Sequence, residues 1–444
     1  MRGETREEQL RGELHREAVS ITAELIRIDS SNTGDPATIG DGESRCAEVI
    51  RQALSEVGIH GTWYERAAGR GNVIFRIPGT DRLRPGLLIH AHTDVVPADP
   101  DDWSVGPFSG EIRDGELWGR GAVDMKNMIG MLLAAVRVLV RSGWQPERDI
   151  VLAFVADEEV ESADGMAFLV EQHPEVFDGV TEASGEVGGF SCGVPGRRHY
   201  ALGIGEQAVA WATLRAEGVE GHGSIVDNSS NAIAHLTQAL SRISSHVWPP
   251  SDDETSRTVL SHLGDALGFH IDAVNAEHRL ELLGPIAPMF VSALRTSSAL
   301  TQVHAGSKTN TVPGAAVATV DCRIAPGYET EFHRVFADLV GPGIEVTWEV
   351  GPSVTAAFGT ELTAAIARAV GHIDSGAGVL PFVTGGATDA KALSRLNIAC
   401  YGFVPLQLPT EFDFPGMFHG VDERVPVAAL ETGAEILREL LRTQ

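Results

Sequence analysis

Over residues 7–28 apolar side chains recur at helical spacing among many charges, which predicts an amphipathic surface helix. Beyond it the period shortens. The runs NVIFRIPG from Asn72, LLIHAHTDVV from Leu87 and DIVLAFVADEEV from Asp149 are short and rich in β-branched and aromatic residues, and they predict strands. Between the last two, Met128, Ile129, Leu132, Leu133, Val136 and Leu139 keep a helical spacing within 125–141, and Ser142-Gly143 supplies the stop. Strands alternating with helices imply an α/β sheet with parallel elements.

From about Gly205 the style changes. AVAWATLRAEG, AAVATVDCRIAPG and IEVTWEV read as strands, with helices expected over 228–246 and 329–339, a pattern that predicts a compact α+β insertion. Residues 248–299 carry weak, mixed signals and predict only some helix. After Gly351 the first style resumes, with a helix over 361–370, a short strand IACYGFV and a final helix from Pro426, a residue suited to a first helical turn. The expected fold class is α/β: a catalytic domain with a mixed, mostly parallel sheet flanked by helices, split into 1–204 and 352–444 around an inserted α+β lid, 205–351.

A chain of 444 residues exceeds the size at which one hydrophobic core usually stops growing, which agrees with more than one domain. The formal charge of −27 repels phosphate backbones and anionic membrane surfaces, so neither nucleic acid nor membrane is an expected partner. A carboxylate-bearing substrate would need local positive charge. Cys46, Cys192, Cys322 and Cys400 lie far apart with no C-x-x-C pair and read as reduced core residues. The first twenty residues are charged throughout and no later run is long and apolar enough to span a bilayer, so a cytoplasmic location is expected.

Chemistry-bearing residues stand at the ends of the predicted strands. His92 and Asp94 close the run LLIHAH two positions apart, so imidazole and carboxylate can share a side, the acid orienting a metal-ligating His or merely pairing with it. Asp124 follows a glycine-rich bend, GELWGRGAVD, and precedes a helix. It can be an N-cap or a ligand, and Gly119 and Gly121 favour the ligand because they let backbone approach closely. Asp157, Glu158 and Glu159 repel one another at a core boundary unless a proton or cation relieves them, the alternative being a solvated acidic loop. Neighbouring glutamates diverge, so one can bind metal while the other addresses a water. Glu186, among small residues, and His419, before the last helix, complete the candidates. A His and carboxylate set without Cys suits two divalent ions, zinc with cobalt or manganese as alternatives, in a wet catalytic site. A glycosidase using Glu158 and Glu159 fails, because its two acids must flank the substrate about 5 Å or more apart. A silent metal-binding interaction protein is the rival outside enzyme chemistry.

The segments HAHTDVVPAD, DDWSVGPFSG, WGRGAVDMK, ADEEV, GEVGGFS, GHGS, TNTVPGAA, DCRIAPG, TDAKALSRL and FHGVDERVP, spread in this order over most of the chain, resemble peptidase family M20. This is the family of succinyl-diaminopimelate desuccinylase, acetylornithine deacetylase, aminoacylase and glutamate carboxypeptidase. The resemblance implies His92 and Glu186 at one metal, Glu159 and His419 at the other, and Asp124 bridging, with Glu158 as general base and Asp94 as orienting acid. It further implies that the insertion is a lid and dimerisation domain, that His222 reaches the partner's site in a homodimer, and that Asn310, Arg323, Gly385 and Gly386 hold the substrate carboxylate. Arg323 fits that role physically, since a guanidinium fork binds carboxylate bidentately. GGATDAK and Gln207 depart from the form expected in close relatives. The implied activity is hydrolysis of an amide or peptide bond in a small carboxylate-bearing substrate, of dipeptidase or carboxypeptidase type, with N-acyl amino acid deacylation as the alternative.

Overall fold

Two sheets organise the chain. This computed structural model describes residues 5–160, 162–194, 196–225 and 228–444, and among the described residues the larger sheet has ten strands and the smaller of the two has four. The order along the larger sheet is Thr62–Glu65, Gly71–Ile77, Ile150–Val155, Gly86–His92, Val180–Gly185, Ala399–Gly402, Arg197–Glu206 and Val354–Thr355, while Ser191–Val194 and Gly378–Thr384 also pair with Arg197–Glu206. From Ile150–Val155 to Ala399–Gly402 the neighbours run parallel, and antiparallel pairs flank them on both sides. Alternation along the strands feeds two cores: Leu87, Ile89, Ile150, Leu152 and Phe154 join one, Leu88, Val151, Ala153 and Val155 the other. Helices Arg6–Ile26, Lys126–Arg141 and Val427–Arg442 cover the first face, Met166–Gln172 and Ala390–Leu393 the second.

Most expected elements are present, with ends moved by one to a few residues. The first helix begins under a capping box, Thr5 with Glu8, and stops at Ile26. Met125 stands at the cap position and the helix itself is Lys126–Arg141, buried at every residue from Lys126 to Val136, as a helix apolar all round should be. The expected helix 228–246 is a 3-10 turn, Asn228–Ser230, followed by Ala232–Ser245 with Asn231 as cap. Pro426 precedes Val427–Arg442 rather than opening it. The sequence pattern does not announce the strand Arg197–Glu206, because Gly203 interrupts it. A Cβ there would lie 2.9 Å from the Gly402 Cα, so close strand packing requires the glycine. All four cysteines are buried and free.

The four-stranded sheet is antiparallel, in the order Ser297–Ala305, Ala315–Ile324, Ala208–Glu217, Ile344–Gly351. Helices Ala232–Ser245 and Glu329–Val340 pack on one face around Leu214, Leu236, Val320, Phe332 and Phe336. Its other face carries Val209 opposite Arg323 and Trp211 opposite Asp321. Residues 248–299 are largely helical, and Asp253 caps Glu254–Leu267 by accepting from the Thr255 and Ser256 amides. This segment returns to the larger sheet: Val259, Leu260, Leu263 and Phe290 join its core, with Phe290 against Phe382. The described chain therefore crosses between the two sheets at Gln207, between Trp248 and Asp253, between Leu294 and Ser297, and at 352–353.

Candidate metal centre and cleft

The carboxyl ends of the parallel strands gather the acids and imidazoles, as open α/β sheets do with their sites. Gly86–His92 ends on His92 itself, Asp157, Glu158 and Glu159 follow Ile150–Val155, and Glu186 follows Val180–Gly185. Asp124 enters from the bend before Lys126–Arg141 and His419 from the loop before Arg424–Pro426. His92 Nε2 lies 3.1 Å from Asp124 Oδ1 and 3.5 Å from Glu186 Oε2. His419 Nε2 lies 3.4 Å from Asp124 Oδ2 and 3.1 Å from Glu159 Oε2. Two triads thus share Asp124, one oxygen to each, with the ligand atoms of each triad within 4.8 Å of one another.

Several observations show that this cluster suits a pair of divalent ions. Glu159 Oε1 is buried with no hydrogen-bond partner among the described residues. Burial, reinforced by Glu186, pushes the Glu158 carboxyl well above the usual carboxylate range, and burial raises Glu159 too and Glu186 to about 7. Burial opposes charge on His92, yet Glu186, Asp124 and Asp94 outweigh it and raise the imidazole well above its ordinary value, while hydrogen bonds to Asp124 and Glu159 raise His419 to about 10. Acids this crowded must share protons or a cation. Asp124 is free for that work, because the following helix is capped at Met125 without any side-chain cap bond. Gly119 and Gly121 have φ of 146° and 89°, and a Cβ on Gly119 would lie 2.4 Å from Ile26 Cγ2. Asp157, Val187 and His419 hold φ of 63°, 36° and 56°, so three non-glycine residues in or near the two triads occupy the left-handed region.

The three consecutive acids diverge. Glu159 faces His419, Glu158 is half-buried and lines the cleft, and Asp157 turns inward to Arg70 at 3.2 Å and Asn32 at 3.0 Å. Asp94 does more than face His92, whose Nδ1 lies 3.0 Å from its backbone carbonyl and 3.4 Å from its carboxylate. The Asp94 carboxylate accepts the amides of Glu158 and Glu159 and the amide group of Asn32, so it sets the loop that carries both glutamates. Sequence reading missed Asn32, Arg70, Glu43 and Asp157 as one buried network, since its members lie far apart in the chain. It also missed Glu423. That carboxylate, fully buried, accepts the amides of Gly121, Val123 and Asp124 and the guanidinium of Arg120, which also donates to the His419 carbonyl. One ion pair thereby braces the loops that carry Asp124 and His419.

A cleft of about 850 Å³ opens beside the cluster, between it and the uncovered face of the four-stranded sheet. Glu158, Arg323 and Gly386 line it, together with an apolar wall of Val160, Val187, Val209, Trp211, Met289 and Phe418. Trp211, in that wall, is 43% exposed. Arg323 points its Nε and Nη2 at Asp321, 2.9 and 3.0 Å away, and its Nη1 at the Gly385 carbonyl, 2.9 Å away. Of five N–H donors, that leaves two for a ligand. His222 and Asn310 are placed elsewhere. They sit together on an exposed two-stranded ribbon, joined by the Gly223 amide to the Asn310 carbonyl at 2.8 Å, and neither lines the cleft.

Comparison with known proteins agrees with this geometry. The family model described as peptidase family M20/M25/M40 matches residues 88–443. The chain is 29% identical to a succinyl-diaminopimelate desuccinylase of Cereibacter sphaeroides, over 96% of this chain and 98% of that one. It is 28% identical to the N-fatty-acyl-amino acid synthase/hydrolase PM20D1 of Mus musculus, over 96% and 86%. Its fold matches the M20 family metallo-carboxypeptidase Sso-CP2 of Sulfolobus solfataricus with a TM-score of 0.72 at 17% identity, covering 96% and 99%. No helix among the described residues is long and apolar enough to cross a membrane.

Proposed function

We propose, from the premise that the chain belongs to peptidase family M20/M25/M40, that it is a two-metal hydrolase cleaving the amide bond of an N-acyl amino acid whose acyl group is apolar. The observation that carries this reading is the apolar wall beside the metal cluster. It suits a hydrocarbon chain, which gains roughly 0.8 kcal/mol for each CH₂ removed from water. The names of the desuccinylase and the N-fatty-acyl-amino acid synthase/hydrolase, similar over nearly the whole chain, support acyl-amide chemistry.

His92 with Glu186 would hold one ion, His419 with Glu159 the other, and Asp124 both, with zinc preferred and cobalt or manganese as alternatives. Such a pair of ions supplies polarisation of the amide carbonyl and an acidified water. Glu158, poised by burial and by Glu186 to carry a proton, takes one from the attacking water and returns it to the departing nitrogen. Arg323 receives the substrate carboxylate through its two unspent N–H groups, aligned by Asp321 and Gly385. His222 and Asn310 serve the cleft of a second copy of the chain, His222 at the carbonyl oxygen and Asn310 at the carboxylate. Held side by side on one exposed ribbon, they would arrive there together. The four-stranded sheet with its helices, within 205–351, acts as lid and dimerisation unit on the catalytic segments 1–204 and 352–444.

Glu349, also lining the cleft, favours a second reading, a dipeptidase or carboxypeptidase, because it could take an α-ammonium group. Steady-state rates on N-dodecanoyl-, N-acetyl- and N-succinyl-leucine and on alanyl-leucine, each with zinc, cobalt and manganese, test the choice. N-dodecanoyl-leucine is expected to show the highest kcat/KM. Preference for alanyl-leucine would establish the second reading instead, and no turnover of any of them with any ion would sink both.

A further inference from the structure

Lys391 lines the cleft, where a cation would ordinarily be taken for a substrate contact. Two of its three N–H donors and its charge have other partners. Nζ lies 2.8 Å from the Gln207 carbonyl, 2.7 Å from the Pro352 carbonyl and 3.6 Å from Glu206 Oε2. Gln207 and Pro352 are two of the crossings between the sheets. Gln207 extends the connection, since its side-chain amide donates to the Ala293 and Arg295 carbonyls at the third crossing. The crossing between Trp248 and Asp253 joins there too, through the Ser251 amide on the Leu294 carbonyl and the bridge of Pro250 with Arg295. All four connections meet around one ammonium and one amide.

The same cluster leads to Arg323. The Gln207 backbone N–H donates to the Thr384 carbonyl, 3.0 Å away, which anchors it to the loop that carries Gly385 and Gly386. Two residues on, Val209 pairs with Arg323 across the four-stranded sheet, and Arg323 Nη1 returns to the Gly385 carbonyl. The circuit is closed: cleft loop, Lys391, crossing, strand, guanidinium, cleft loop. We propose that Lys391 and Gln207 are positioning residues that set Arg323 at the substrate carboxylate by tying the crossings to the cleft loop, an inference that rests on the reading of Arg323 given above. Neither touches substrate. Their effect therefore appears in recognition of the carboxylate and not in the chemistry at the metals.

The test compares wild type, Lys391→Met and Gln207→Ala, all full-length and metal-loaded, on N-dodecanoyl-leucine and on N-dodecanoyl-isopentylamine, the same amide without its carboxylate. Wild type is expected to prefer the acid. Both variants are expected to retain metal content and kcat on the isopentylamide, while KM for the acid rises roughly tenfold or more, since misplacing a binding group by about 1 Å can cost up to about 100-fold. Hydrogen exchange gives a readout independent of activity: amides of 207–210 and 353–354 should exchange faster in Lys391→Met while those of 150–155 do not change. Should Lys391→Met fail to accumulate, Gln207→Ala alone must show the same split. A variant that keeps the acid preference and the exchange pattern of wild type overturns the inference. A wild type with no preference for the acid overturns the reading of Arg323 instead, and hydrogen exchange then decides whether the two residues tie the crossings at all.

Discussion

Glu423→Gln tests whether one buried carboxylate holds the loops of two metal ligands. Glu423 Oε2 accepts from Arg120 Nη1 at 2.7 Å and the Gly121 amide at 3.1 Å, and Oε1 accepts from the Val123 and Asp124 amides at 2.7 and 3.1 Å. A glutamine keeps one oxygen, so its NH₂ must confront two of these four donors. Removing the acid from a buried pair costs about 3–5 kcal/mol, because the remaining charge has no partner, and Arg120 here is 4% exposed. Relief comes most cheaply by moving the 121–124 bend, and that bend carries Asp124, the ligand common to both triads. Changes to groups that orient ligands typically lower metal affinity about 10–100-fold. The affinity for both ions is therefore expected to fall at least about tenfold, where loss of Glu186 alone would weaken chiefly one. Competition against a chromophoric chelator with zinc and with cobalt measures this, the visible spectrum of the cobalt protein reports the altered ligand field, and circular dichroism shows whether the fold persists. Wild-type affinity for both ions with an unaltered cobalt spectrum would refute the reasoning.

Glu158→Gln should lower kcat by at least about 100-fold, the lower end of what a general acid-base contributes, while elemental analysis finds the wild-type metal content; an equally active variant would remove Glu158 from its role. Mixing inactive Glu158→Gln with inactive His222→Ala, under conditions where copies exchange, should restore about a quarter of wild-type activity, because in a two-fold dimer half of the sites in half of the dimers are intact. No recovery, with mixed dimers demonstrated, would place His222 outside the partner's cleft. Trp211→Ala should raise KM for N-dodecanoyl-leucine by about tenfold, from loss of an aromatic contact worth some 1.5–3 kcal/mol, and leave N-acetyl-leucine nearly unaffected; equal effects on both would deny the wall its acyl role. Stripping divalent ions should abolish turnover, and restoring zinc to about 100 times its Kd should add about 2.7 kcal/mol to the free energy of unfolding, so an unfolding curve indifferent to ions would detach the cluster from metal binding.

What a single sequence exposes and what it hides follow from where each side chain finds its partners. His92 and Glu159 stand out in the sequence because they follow apolar runs, and a charge at the end of a buried run needs a reason that local structure does not supply, whereas Glu186 stands out only by its small neighbours. Asp124 stood between two readings until the cap position proved to belong to Met125. His419 could be nominated only as a member of the set, since nothing around it in the chain shows that it turns to Asp124 and Glu159. The braces were hidden for the opposite reason. Glu423 sits in the charged run DER, and such runs are usually solvated; its four donors lie some three hundred residues earlier. Lys391 resembles any helix-end lysine, and its partners belong to crossings whose convergence depends on where 248–299 returns to the larger sheet, the segment with the weakest periodicity. Candidate ligands are thus nominated from local chemistry and the groups that brace them are not, because bracing is a long-range property of the fold. On the proposed reading, a change of substrate preference in this scaffold would have two places to act: the apolar residues of the cleft, and the distant hydrogen bonds around Lys391 and Gln207.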